Sequence, residues 1–130
     1  MLEPNVIVFY VDNLPVSSQF YQSLLGIKPD EHSPTFTSFS LSNGMGLALK
    51  TKDSVEPAVH TQSGGHGELA FTLNNRQQVD ALFTTWQNQA IKIIQPPYLL
   101  PYGYTFVGID PDGNRLRVVS LEKSSHQQEK

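Results

Sequence analysis

The sequence predicts an α+β fold made of two βαβββ modules. Three observations carry this reading. The order strand, helix, several strands occurs twice along the chain. The two passes align, with a shift of 63 residues at the first strand and helix (Asn5 on Glu68, Asp12 on Asn75, Phe20 on Phe83) and 69 later (Gly44 on Gly113, Leu47 on Leu116, Leu49 on Val118). The change of offset leaves about six extra residues for the second module's loops. Finally, 130 residues suit one domain rather than two independent ones. The expected organisation is a single domain over 1–122, with module one at about 4–52, a linker at 53–66, module two at about 67–122, and a polar tail at 123–130.

Residues 5–11 read NVIVFYV, a β-branched and aromatic run expected of a strand covered on both faces. Asn13 is a good N-cap, and Pro15 in the first helical turn lacks only an N–H that has no helical partner there. Val16, Phe20 and Leu24 recur every four residues as a helix face, and Gly26 ends that helix. FTSFSL (36–41) and GLALK (46–50) read as strands turned at Ser42-Asn43-Gly44. The stretch from Thr51 to Gly67, with Pro57, Gly64 and Gly65, reads as a connection.

Module two restarts the pattern. ELAFTL (68–73) is a strand, Asn75 with Gln78 resembles a capping box, and Val79, Leu82, Phe83 and Trp86 form a helix face. Trp86 is expected in the core. Ile91, Ile93 and Ile94 open a strand that Pro96-Pro97 should stop. Strands at 104–109 and 115–121 follow, turned at Asp110-Pro111-Asp112-Gly113.

Composition removes several function classes. Nine Lys and Arg against twelve Asp and Glu give a net charge of −3, which argues against a nucleic-acid binder or a polybasic membrane patch. Seven Phe, five Tyr and one Trp argue against a disordered chain. With no Cys there are no disulfides, thiolate metal ligands or Cys nucleophiles. No apolar run approaches the roughly 20 residues of a membrane helix. The N-terminus lacks the basic start and cleavage site of a signal peptide, so a cytoplasmic protein is expected.

Two motifs give the repeat a family likeness: Val11, Asp12, Ser18, Phe20, Tyr21, Leu25 and Gly26 in module one, and Asp110 to Gly113 with Asn114 and Leu116 in module two. In order and at this spacing, they make the chain resemble the vicinal oxygen chelate superfamily (the glyoxalase, bleomycin-resistance and extradiol dioxygenase fold) from Asn5 to Leu121. The resemblance implies a cup-shaped mixed sheet, eight strands enclosing a cleft, and clefts shared in a homodimer. In the family's metal enzymes four cup positions supply ligands, and the motifs carry these onto Asn5, Ala48, Glu68 and Arg117. Ala48 has no donor atom, and Arg117 is a fixed cation without a lone pair. Only Glu68 could serve, and a hard or borderline divalent ion needs several such donors. The resemblance therefore points to metal-free members that sequester drugs, the phenazine- and bleomycin-resistance type. Tyr98, the stretch from Gly103 to Phe106, Leu82-Phe83-x-x-Trp86 and the Glu68/Arg117 combination look like that subgroup.

The expected site follows from these positions. Glu68 and Arg117 should face one cavity, either as an ion pair filling the vacated metal position, or with Arg117 also reaching a ligand carboxylate or phenolate. If Val6, Val8 and Tyr10 face the helices, then Asn5, Ile7 and Phe9 face the cup. Phe36 and Phe39 lie on opposite strand faces, so one of them lines it, and Phe39 is counted here. Tyr104 and Phe106 share a face, while Tyr98 and Tyr102 sit on a Pro-flanked loop at the rim. With Lys50, these residues form the candidate ligand-binding set, to which no catalytic residue, metal ligand or cofactor is added. His32 and His60 read as solvated, His126 lies in the tail, and His66 beside Glu68 lacks a third ligand of suitable spacing. The expected function is capture of a small planar aromatic antibiotic or metabolite in a dimer cleft, with no nucleic-acid or membrane partner. The alternative is a lyase, isomerase or transferase with an atypical site, with Glu68 as a possible general base.

Overall fold

The computed structural model describes residues 1–58 and 67–122. His60, His66, His126, most of the expected linker and the expected tail fall outside the described residues. The chain divides into two units, Met1–Ser63 and Gly64–Lys130. Among the described residues no helix is long and apolar enough to cross a membrane.

The first unit contains β1 (Val6–Val11), α1 (Leu14–Leu25), β2 (Glu31–Ser33), β3 (Phe36–Ser40), β4 (Gly46–Thr51) and a short 3₁₀ turn at Lys52–Ser54. Its sheet has the order β1-β4-β3-β2, with β1 parallel to β4 and the other pairs antiparallel. The expected caps are present. The Asn13 side chain accepts from the Val16 N–H at 3.1 Å, and Gly26 takes φ 71°, its N–H donating to the Gln22 carbonyl. The βαβββ plan calls for a fourth strand, and it is β2, whose position the sequence did not reveal. Its three residues, Glu-His-Ser, carry no apolar signal, and pairing with β3 alone defines it. The buried face of α1 also differs from expectation. Leu14, Ser17 and Tyr21 point inward while Val16 is exposed, so the four-residue rhythm of Val16, Phe20 and Leu24 did not mark the core stripe.

The second unit repeats the plan with β5 (Glu68–Thr72), α2 (Arg76–Asn88), β6 (Lys92–Leu100), β7 (Gly103–Ile109) and β8 (Arg115–Leu121), in the order β5-β8-β7-β6. Asn75 caps α2 through the Gln78 N–H at 2.9 Å, and the Gln78 side chain reaches back to the Asn74 N–H. The core lies between α2 and the sheet. The Phe106 ring meets Phe83 and Trp86 edge-on at 5.2 Å each, and Phe71 meets Trp86 at 6.0 Å. Trp86 is buried, as expected. Pro96-Pro97 does not stop the strand: β6 continues to Leu100. As the outer strand it keeps a free edge where missing N–H groups cost nothing, and its pairing with β7 shifts register around the prolines.

The caps also correct the internal repeat. Asn13 and Asn75 are equivalent N-caps, an offset of 62 rather than 63. The later offset of 69 holds, with Gly44 (φ 92°) and Gly113 (φ 88°) at matching turns. The second module therefore carries seven extra residues between these points, mostly in β6, which has nine residues against three in β2. A shift of one residue reverses which face of a strand each side chain occupies.

Candidate functional site

Each sheet has one face under its helix and a second, its open face, that this helix does not cover, although Thr105, Val107 and Val119 on that face of the second sheet are buried. In the second unit, Leu69 and Phe71 of β5 turn toward α2, which leaves Glu68, Ala70 and Thr72 on the open face. The parallel register sets Glu68 across from Arg115 and Ala70 across from Arg117, so Glu68 and Arg117 are diagonal neighbours on that face. The Arg117 Nε–H donates to the Glu68 carboxylate at 2.6 Å, with the two side chains 14% and 34% exposed. The Arg117 Nη1 donates to the Thr105 hydroxyl at 3.1 Å, and that hydroxyl donates to the Val118 carbonyl at 2.7 Å. Thr105 is fully buried. The guanidinium is thus held at two points and its charge is matched by one carboxylate. Sequence reasoning anticipated the pair and missed Thr105. Its signal was its place on the strand two residues before Val107, which pairs with Arg117.

Of the four expected aromatics in this unit, only Tyr98 shares the face. It lies opposite Thr105 in the β6–β7 pair and is exposed, on a strand rather than a loop. Tyr102 occupies the turn after β6, exposed, with its carbonyl accepting from the Glu122 N–H. Tyr104 and Phe106 do share a face, but it is the helix face. Phe106 is sealed among Phe83 and Trp86, and the Tyr104 hydroxyl donates to Asp80 of α2 at 2.7 Å. Arg76 stacks over the Tyr104 ring at 5.3 Å and binds Glu122 bidentately. The hydrogen bond to Asp80, followed by partial desolvation, raises the Tyr104 pKa above that of an ordinary phenol. The hydrogen bond from Arg76 lowers that of Glu122. Tyr104 and Phe106 therefore brace α2 and cannot form a wall that ends at Arg117.

The same reversal holds in the first unit. Phe9 packs against Tyr21 of α1 with ring centroids 6.2 Å apart, so Ile7, Phe9 and Val11 face the helix. Val6, Val8 and Tyr10 are on the open face, 55%, 44% and 43% exposed. Phe39 is buried on the helix side, whereas Phe36 shares the open face with Lys50, whose ammonium lies 6.0 Å from its ring centroid. Asn5 is exposed ahead of β1, its carbonyl accepting from the Gly46 N–H at 2.7 Å. The counterpart of Glu68 is Val6, diagonal to Ala48 as Glu68 is to Arg117. The four ligand positions implied by the resemblance thus carry Val6, Ala48, Glu68 and Arg117: two alkyl groups, one carboxylate and one cation. Such a set does not fit a divalent metal. Among the described residues no three His, Asp or Glu side chains converge. His32 is exposed as expected, yet its Nδ1 lies 3.0 Å from the hydroxyl of buried Thr37, which is also bonded to Ser18 at 2.8 Å.

Comparison with known proteins agrees with the strand order. Residues 4–118 match the model of the Glyoxalase/Bleomycin resistance protein/Dioxygenase superfamily. The chain is 31% identical over 124 residues to the phenazine antibiotic resistance protein EhpR of Enterobacter agglomerans, covering 93% of this chain and 94% of that one. A protein of Agrobacterium tumefaciens solved by solution NMR is 46% identical, covering 95% of this chain and all of that one, with a TM-score of 0.85. A glyoxalase-related enzyme from Fulvimarina pelagi superposes with a TM-score of 0.81 at 21% identity, covering 92% and 88% of the two chains, a likeness of fold.

Proposed function

The chain belongs to the glyoxalase/bleomycin resistance protein/dioxygenase superfamily, and from that premise we propose that it is a metal-free binding protein that sequesters a planar aromatic antibiotic or metabolite. One observation carries the reading. Where the family's metal enzymes place ligands, this chain places a guanidinium clasped by Glu68 and Thr105. An ion held there would face a fixed positive charge. The extensive similarity to a phenazine antibiotic resistance protein supports an antibiotic-resistance role.

In this reading the guest lies against an open sheet face in a cleft completed by a second copy of the chain. In the second unit Tyr98 offers a ring, and Arg117 keeps unused N–H donors for an acceptor on the guest. The exposed Val6 and Val8 on the outer strand of the first sheet are an apolar surface that a second copy would cover. Capture at equilibrium needs no reacting group, only an affinity below the toxic concentration. The working compartment in this proposal is the cytoplasm.

Calorimetric titration with phenazine tests the reading, alongside elemental analysis of protein purified without chelator. Binding below about 100 μM, the compound recovered unchanged and no stoichiometric metal are the expected results. Conversion of the compound, or one metal equivalent lost on Glu68→Ala, would move the protein to the enzyme class. Sedimentation should give twice the chain mass, and a strict monomer would remove the shared cleft.

A further inference from the structure

The first unit carries a row of three side chains that points to the chemistry of the guest. The register sets Tyr10 of β1 across from Lys50 of β4, and Lys50 across from Phe36 of β3, all on the open face. Adjacent strands are about 4.8 Å apart, so the row spans roughly 10 Å, with a cation between two rings. The ammonium is 6.0 Å from the Phe36 ring centroid. Other partly buried cations in the described residues have carboxylate partners: Arg117 has Glu68, and Lys52 has Asp12. Lys50 is likewise partly buried, and no carboxylate of the described residues lies within ion-pair distance of it. The acid on the same face, Glu31, lies opposite Ser38 on the outer strand and makes no ion pair with it.

A half-buried lysine with one ring beside its ammonium, a second aromatic residue on the adjacent strand and no carboxylate partner gains most from an anion that arrives on an aromatic body. We infer that Tyr10, Lys50 and Phe36 form the acid-recognising part of the binding surface, and that the guest class is a fused-ring aromatic bearing a carboxylate or phenolate. The inference rests on the sequestration reading and assigns the anion to Lys50 rather than to Arg117, whose charge Glu68 already matches. Arg115 and Lys92 are also open-face cations of the second unit, but they are exposed at strand ends with Ile109 between them.

The test compares two probes, neutral phenazine and phenazine-1-carboxylate, by calorimetry on unmodified protein, Lys50→Met, Lys50→Arg and Arg115→Met. The unmodified protein should prefer the carboxylate by about tenfold or more. Lys50→Met should abolish that preference, so that the two probes bind it with affinities within about twofold of each other. Lys50→Arg and Arg115→Met should retain it. Backbone amide shifts at Tyr10, Lys50 and Phe36 should respond to the carboxylate and not in Lys50→Met. If both probes bind and Lys50→Met keeps the preference, or Arg115→Met removes it, the assignment is overturned while sequestration stands. If neither probe binds, sequestration falls and the assignment with it.

Discussion

Phe106→Ala separates the two faces of the second sheet. Phe106 is fully buried, and its ring makes edge-on contacts with Phe83 and Trp86. Truncation to Ala removes six ring carbons from a packed interior and leaves a cavity, at a cost of about 3–5 kcal/mol. Against a typical stability of roughly 5–15 kcal/mol, that is a large share of the total. With an unfolding entropy of about 2.1 cal/mol/K per residue, the melting temperature should fall by roughly 10–18 °C. Urea denaturation monitored by Trp86 fluorescence reads the loss directly, and Phe106→Leu should recover more than half of it. Phenazine affinity measured well below the lowered melting point should change less than threefold in either variant. A variant that melts within about 1 kcal/mol of the unmodified protein yet binds phenazine tenfold more weakly would place Phe106 on the ligand side and refute the assignment of faces.

Two further perturbations address the polar groups. Because Arg117 is mostly buried and Glu68 a third exposed, Arg117→Met should cost about 1–3 kcal/mol. A double-mutant cycle with Glu68→Gln should show coupling of at least about 0.5 kcal/mol, and strict additivity in urea midpoints would mean that the pair is not formed in solution. The hydrogen bond to Asp80 raises the Tyr104 pKa, so its stabilisation is complete below the ordinary phenol pKa of about 10 and is lost as pH rises through the raised value. Ultraviolet titration at 295 nm, with Tyr104→Phe as the reference for assignment, should find a midpoint above 10 that falls in Asp80→Ala. An unshifted midpoint in both would contradict the bond.

Local backbone chemistry was legible in the sequence, and the facing of strands was not. Asn13, Gly26, Asn75, Gly44 and Gly113 each satisfy a requirement met within a few residues, such as an orphan N–H or a positive φ, so residue type alone locates them. The run VIVFYV is apolar at both parities, so no alternation marks its buried side. The motif reading that carried Asn5 into the cup put Ile7 and Phe9 there with it, the wrong side by one residue. Matching the two N-caps, Asn13 with Asn75, gives the offset of 62 and puts Phe9 under α1. Tyr104 and Phe106 were correctly assigned to one face. Which face depends on Asp80, Phe83 and Trp86, contacts made across the helix–sheet interface that strand alternation cannot register. Glu68 and Arg117 were legible because their strands carry recognisable motifs, and their meeting follows from the parallel register of β5 and β8.

Under the proposed one-for-one capture of a guest, the chain would have to be made in quantity. Abundance raises the hazard of any open strand edge, because collision with like chains grows with concentration. The outer strand β6 is the longest among the described residues and exposes Ile94 and Leu99, features that would invite strand addition by a neighbouring chain. Pro96 and Pro97 interrupt it near its middle. They remove two consecutive donors and break the regular spacing that an incoming strand would have to match. The proline pair that obscured this strand in the sequence thus guards the free edge of the second sheet against strand addition.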